Sequence, residues 1–280
     1  PKKTNMNVLS LFDGMSCGQI ALKKLGIKVD NYFASEIKKH AIEVTQHNFP
    51  KTKQLGDVAK INGLDLPKID LLIGGSPCQD FSRANKERKG VKGSKSSLFF
   101  EYLRLLKECK PKYFLLENVV MSDYNYWFIC NELNCEPVRI CGSLVSGALR
   151  DRLYWTNIPP FSYDLTGRLI SNIPQPKDEK IYLQNVIDSG IAKKRKHSCL
   201  NTTSGVGGTQ RYLKHRNNTT GMITLIYEDN EVRTINQNEL EKLHNIPKGY
   251  TEILNQRKAG DLIGDGWTID VVTHIFKNIR

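Results

Sequence analysis

The sequence predicts an α/β protein built on a mostly parallel sheet covered on both faces. Three observations support this: short apolar runs that alternate with stretches at helical spacing, sharp glycine turns after the apolar runs, and a length of 280 residues, enough to bury a real core. Val8 to Phe12 reads as a buried strand closed by the turn Asp13-Gly14, and Ile20, Ala21, Leu22 and Leu25 give a short helix stopped by Gly26. Tyr32 to Ser35 is a second strand, followed by a helical stretch through Ala41 and Val44. Asp70 to Ile73 is a third strand, broken at Gly74-Gly75. Leu98 to Leu106 repeats at helical spacing up to Pro111, and Tyr113 to Leu116 is a further strand.

The alternation fails after Asn157. Residues 158–230 are rich in Pro, Gly, Ser, Thr and Asn, with strand-like pieces such as Ile223 to Ile226. Helical spacing returns at Glu239 to Leu243 and again at Ile269 to Phe276. The expected organisation is therefore a sheet domain over 1–157, a small region over 158–230, and a segment over 231–280 that returns to the first domain.

Composition is ordinary for a soluble globular chain, with 39% hydrophobic and 25% charged residues. Charge is not: 41 Lys and Arg against 29 Asp and Glu give +12, which favours a polyanionic partner, either nucleic acid or an anionic membrane surface. No apolar run reaches membrane-spanning length, so no membrane association is expected. The seven cysteines form no C-x-x-C pair, which argues against structural zinc and for reduced thiols in a cytoplasmic setting.

Chemistry concentrates at the turns after strands, where open α/β sheets place their ligands. Gly74-Gly75-Ser76-Pro77-Cys78-Gln79 presents a cysteine on a stiff turn whose glycines allow close backbone approach. Once deprotonated, such a thiol is a nucleophile. The plainer reading of an isolated cysteine is a small buried hydrophobe. Glu117, at the tip of an apolar strand beside Asn118, is placed to hold a proton for acid catalysis; its blander role is a helix cap. The turn Phe12 to Gly18 lacks the dinucleotide fingerprint but suits a nucleoside, with Glu36 at the end of the next strand for ribose hydroxyls, although an ordinary strand–helix turn reads the same way.

In order along the chain, the segments LFDGMSCG (11–18), SE (35–36), DV (57–58), GGSPCQDFS (74–82), LFFE (98–101), ENV (117–119) and RDR (150–152) resemble the DNA (cytosine-5) methyltransferases. The resemblance extends through a closing block from Arg233 to Phe276 and leaves 158–230 as the variable target-recognition segment. Motif detail is closest to the de novo branch, through Trp267. Two departures stand out: Ala148 where the family has Gln before its two arginines, and Gly264-Asp265-Gly266-Trp267 in place of glycine-asparagine-serine-valine.

The resemblance implies a Rossmann-like S-adenosylmethionine-dependent methyltransferase fold and a methyl transfer to carbon 5 of a flipped cytosine. It implies Cys78 as nucleophile on carbon 6 and Glu117 as proton donor to ring nitrogen 3. Arg150 and Arg152 would hold the base carbonyl or a phosphate, with Arg152 also restraining Glu117. The blander reading of both arginines is a surface pair such as Arg150 with Asp151. Expected at the cofactor (product S-adenosylhomocysteine, no metal) are Phe12, Asp13, Gly14, Met15, Cys17, Glu36, Ile37, Asp57, Val58, Gly74, Pro77, Leu98, Gly266 and Trp267.

Double-stranded DNA is the expected partner. Residues 83–95 hold six basic residues and one acid, predicting a loop on phosphates that includes Ser82, Arg83, Lys89 and Lys92. From 193 to 216 there are seven Lys or Arg and no acid. There Lys193, Lys194, Arg195, Lys196, Lys214 and Arg216 are expected at phosphates, or simply solvated, and Gln210 and Arg211 at base edges. An RNA (tRNA) cytosine methyltransferase and a catalytically inactive DNA-binding homologue are the alternatives. The compact length suggests a bacterial or phage enzyme, as in restriction–modification, working as monomer or homodimer.

Overall fold

The computed structural model describes residues 6–76, 97–200, 224–229 and 231–279. The central sheet has seven strands. In chain order its elements are β1 (Met6–Leu11), α1 (Cys17–Lys24), β2 (Val29–Ser35), α2 (Lys39–Asn48), β3 (Lys53–Gln54), β4 (Leu71–Gly74), α3 (Ser97–Cys109) and β5 (Tyr113–Val119). There follow α4 (Asp123–Leu133), β6 (Cys135–Glu136), β7 (Val138–Cys141) and β8 (Asp151–Thr156). The strand order is β3-β2-β1-β4-β5-β8-β7, parallel throughout except β8, which runs antiparallel to both neighbours.

Alternation along the strands sorts their side chains onto two faces. Val8, Leu71, Ile73 and Leu115 share one core with Ile20, Ala21 and Leu22 of α1 and Ala41 and Val44 of α2. Leu9, Leu11, Leu72 and Leu116 share the other with Phe99, Tyr102 and Leu105 of α3 and Ile129 of α4. With both faces covered, the strands read as continuous apolar runs, which is why they were legible. Truncating one such side chain, for example Leu72→Ala, is expected to cost about 2–5 kcal/mol.

The stretch after Asn157 divides. β9 (Phe161–Tyr163) and β10 (Leu169–Ser171) form a hairpin, and β10 pairs with β6, while Leu169 and Phe161 join the second core. Ile173, Leu183, Val186 and Leu200 are buried in the first core. A small separate sheet is made by β11 (Ile191–Ala192), β12 (Ile226–Glu228) and β13 (Glu231–Arg233). The chain then returns through α5 (Gln237–Leu243), α6 (Gln256–Asp265) and α7 (Ile269–Phe276). Val271, Val272 and Ile275 of α7 complete the first core, and Lys24 of α1 pairs with Asp270. Among the described residues no helix is long and apolar enough to cross a membrane.

A candidate active site at the carboxyl edge of the sheet

Strand register alone assembles the edge. Leu11 of β1 lies opposite Ser35 of β2 and Gly74 of β4, and Gly74 lies opposite Leu116 of β5. The residues that follow these four therefore emerge side by side: Phe12 to Gly14, Glu36, Gly75-Ser76 and Glu117-Asn118. Four segments far apart in sequence meet because parallel strands all end on the same side.

The first turn is tightly determined. Phe12, Gly14 and Ser16 take left-handed backbone (φ 57°, 58° and 61°). The Glu36 carboxylate fixes it, accepting from the Gly14 N–H at 2.8 Å and from the Ile37 and Lys38 N–H groups at 2.8 Å each. Asp13, expected as a cofactor contact, points inward: it accepts from the Tyr32 hydroxyl at 2.8 Å and from Ser16. Burial raises its pKa to about 6. Cys17 is also interior, its thiol pushed up to about 12 by burial, and its sulfur accepts the Trp267 N–H at 3.3 Å. Met15 is fully buried. A Cβ on Gly266 would meet Met15 Cε at 2.7 Å and Cys17 Sγ at 3.2 Å, so the return segment closes tightly on this turn.

The open side of the edge is lined differently. A Cβ at Gly14 would meet nothing within 4 Å, and Ile37 is 75% exposed beside the half-buried Glu36. Asp57 is exposed and caps the short helix 58–60 through the Ala59 N–H at 3.0 Å, while Val58 is buried beneath it. Leu98 is half-buried near the start of α3. Gly74 has Leu11 O and Tyr102 within 3.1 Å of where its Cβ would be, which excludes a side chain.

The buried ion pair at this edge is Glu117–Arg152. Register sets Val119 opposite Arg152, so Arg152 is the diagonal, same-face neighbour of Glu117. Its Nε lies 2.9 Å from Glu117 Oε1, with both side chains nearly buried. Burial works against the Arg152 charge, but the facing carboxylate more than offsets it and holds the guanidinium above its usual range. Glu117 Oε2 is turned toward Gly75, where a Cβ would come within 3.0 Å of it and within 3.1 Å of Trp267 Nε1. Trp267 is thus shared between the first turn and the carboxylate.

Ser76 is the last described residue before the expected nucleophile. Asn118 Nδ2 donates to its carbonyl at 3.3 Å and to its hydroxyl at 3.2 Å, and both residues are buried. Pro77, Cys78, Ser82, Arg83, Lys89 and Lys92 lie outside the described residues, as do Gln210, Arg211, Lys214 and Arg216. The role of Asn118 in holding the chain that leads to Cys78 escaped sequence reasoning; its position between Glu117 and Val119 was the available signal.

Arg150 is placed differently from Arg152. Only 4% exposed, it does not pair with Asp151, whose carboxylate is taken by Arg139 at 3.0 Å. Its Nη1 donates to Leu200 O at 3.3 Å and Gly264 O at 3.2 Å, and burial pulls its pKa down. Carbonyl partners carry no residue-type signature, so nothing in the sequence announced them.

The basic tetrad splits by burial. Lys193 is exposed with its ammonium 3.7 Å from the centre of the Tyr227 ring. Arg195 is exposed, 4.4 Å from the Tyr182 ring and bonded to its hydroxyl at 2.6 Å. Lys194 is half-buried, with Ser198 Oγ at 3.5 Å. Lys196, expected at a phosphate, donates instead to the carbonyls of Ser143 (2.7 Å), Ser146 (2.8 Å) and Ile181. An ammonium has three donors, and all are engaged in tying three loops together.

A family model described as C-5 cytosine-specific DNA methylase matches residues 6–122. The chain is 43% identical over 118 residues to the orphan methyltransferase M.Rho11sI of Bacillus phage rho11s, covering 41% of this chain and 23% of that protein. It is 43% identical over 115 residues to the type II methyltransferase M.NgoBV of Neisseria gonorrhoeae, covering 40% and 27%. The match thus spans about a quarter of the length of these curated relatives. Among solved structures, the Entamoeba histolytica methyltransferase EhMeth superposes with a TM-score of 0.72 at 15% identity, covering 99% of both chains. A DNMT2 variant from Spodoptera frugiperda gives 0.66 at 19% identity, covering 98% of this chain and 99% of that one. At such identity these two show the fold alone, shared over nearly the whole chain. The family model covers the edge that carries Asp13, Glu36, Gly74 and Glu117, within less than half of the chain.

Proposed function

We propose that this chain transfers the methyl group of S-adenosylmethionine to carbon 5 of a cytosine flipped out of double-stranded DNA. The observation that carries the reading is the Glu117–Arg152 pair at 2.9 Å, beside a Gly75-Ser76 backbone that leads within two residues to Cys78. Cys78 follows Ser76 by two residues in the sequence, and the proposal has its thiolate and Glu117 act on the same base.

The cofactor fits what is described. Gly14 leaves open space, Ile37 offers an apolar surface to a purine, and Glu36 keeps acceptor capacity for ribose hydroxyls after its three backbone bonds. Phe12, Asp57, Val58, Gly74, Leu98 and Trp267 complete the proposed surround, while Asp13, Met15, Cys17 and Gly266 shape the turn from beneath. When bound, S-adenosylmethionine supplies an electrophilic methyl group.

The chain's own residues do the rest. Cys78 Sγ adds to carbon 6, which makes carbon 5 nucleophilic. Protonated Glu117 donates to ring nitrogen 3 as that electron density develops, and Arg152 fixes the carboxyl in place through Oε1. Loss of the carbon 5 proton and expulsion of Cys78 then free the product. Lys193 and Arg195 are the proposed phosphate contacts among the described residues.

The test is methyl transfer from isotopically labelled S-adenosylmethionine to mixed-sequence duplex DNA and, in parallel, to tRNA, read by nucleoside mass spectrometry. Labelled 5-methylcytosine in the duplex is expected. Label confined to tRNA, or on another base atom, contradicts the proposal.

A further inference from the structure

Among the described residues, Arg150 is a buried charge without a carboxylate of its own. Among the described residues Glu117 is already held by Arg152, and Asp151 by Arg139. Arg150 Nε is buried and has no partner among the described residues. Such a group is costly to keep, so what it ties together matters. Its Nη1 joins the carbonyl of Gly264, in the last turn of α6, to that of Leu200, the last described residue before 201–223. Its own carbonyl accepts the Gly142 N–H at 2.8 Å. Gly142 has no room for a Cβ, which would meet Thr268 Oγ1 at 2.8 Å and Arg150 Cβ at 3.4 Å.

These contacts close a ring. From Arg150 the chain runs two residues to Arg152, which forms an ion pair with Glu117. Glu117 packs on Gly75, and Gly75 on Trp267. Trp267 bonds Cys17 in the cofactor turn, and Gly266 rests on Met15 and Cys17. Gly264, two residues earlier, returns to Arg150. The ring therefore touches the proposed cofactor cradle on one side and the proposed base-binding carboxylate on the other.

We propose that Arg150 is a positioning residue that couples cofactor occupancy to the Glu117–Arg152 pair, rather than a group that touches the target base. This deepens the methyl-transfer reading and rests on it. Filling the cradle presses on Gly266-Trp267. Arg150 carries the displacement from Gly264 to the start of β8, and so to Arg152.

The test needs no turnover. Wild-type protein labelled at its arginine side chains is titrated with S-adenosylhomocysteine, and the Arg152 Nε–H resonance is followed by NMR. The expected result is a shift of that resonance at saturation. In Arg150→Gln the shift is lost and the cofactor dissociation constant rises about tenfold. Arg150→Lys, which keeps one charged donor, retains part of the response. A merely structural role would lower thermal stability and leave the Arg152 shift intact, which overturns the proposal. So does a wild-type protein that binds the product with no Arg152 shift, a result that requires no variant to fold. A wild-type protein that binds no S-adenosylhomocysteine at all contradicts the methyl-transfer reading itself, which separates the two failures.

Discussion

The amino-terminal half and the return segment hold their functional groups by different means. From β1 to β5 the register of parallel strands delivers Gly14, Glu36, Gly75 and Glu117 to one edge, and backbone ladders do most of the work. From Asn157 onward the described strands are two or three residues long and cannot fix anything alone. There, buried and half-buried polar side chains hold the segments. Lys196 binds three carbonyls. Glu239 accepts from Arg233, Asp188 N and Asn236 N, and Glu241 from Gly249 N and Thr251. The lesson is that a change at the edge should damage chemistry in a folded protein, whereas an equally polar change in the return segment should damage folding.

Glu117→Gln is the sharpest probe of the first half. It keeps an acceptor for Arg152 but has no acidic proton to give, so turnover should fall by about 10²–10⁴. S-adenosylhomocysteine affinity, measured by calorimetry, should stay near wild type. A rate loss that merely tracks unfolding would erase the contrast between the halves.

Glu239→Ala is its counterpart. Fully buried, Glu239 is replaced by nothing that Arg233 and two backbone N–H groups can bond. Denaturant titration should show a loss of about 3–5 kcal/mol, with activity per folded molecule little changed.

The tetrad gives a smaller, internal contrast. Lys196→Met should cost about 1–3 kcal/mol of stability by leaving carbonyls unpaired. The double change Lys193→Gln with Arg195→Gln should leave the melting temperature alone. It should weaken DNA binding for all sequences and lower the salt slope by about 2, at roughly 0.9 per phosphate contact. Equal stability loss in both variants would show that burial does not separate these residues.

Two buried groups titrate in opposite senses. Asp13 has its folded pKa raised from 3.8 to about 6, so the folded state holds the extra proton between those values and stability falls as pH rises through them. His197 is lowered from 6.5 to about 4 by burial, so the unfolded state holds the extra proton and stability climbs over about the same range. Fully buried His244 is lowered too and acts in the same sense as His197. Asp13→Asn should therefore steepen the gain in stability from pH 4 to 6.5, by on the order of 2 kcal/mol across the range. Denaturation midpoints at several pH values read this out, and an unchanged slope would mean that Asp13 is not buried as described.

What could be read from the sequence follows the same division. Buried strands announce themselves as apolar runs, so β1, β2, β4 and β5 and the turns after them were legible, and Glu117 and Arg152 were paired from motif order. Helix α4 was missed because its sequence, from Asp123 to Leu133, mixes Tyr, Trp, Phe and Asn without a clear polar face. The antiparallel β8 was hidden because Arg152 and Asp151 interrupt its apolar pattern. Arg150 and Lys196 looked like nucleic-acid contacts because a basic residue bonded to backbone carbonyls has no sequence signature. Their burial, not their type, distinguishes them from Arg195.

The most direct test of the central claim is a covalent one. A mixed-sequence duplex containing 5-fluorocytosine is incubated with the protein and S-adenosylmethionine, then digested and mapped by mass spectrometry. Fluorine cannot leave as a proton does, so an adduct linking Cys78 to carbon 6 should accumulate, and Cys78→Ser should abolish it. Methylated duplex without any protein–DNA adduct, or an adduct on a different cysteine, would contradict the account.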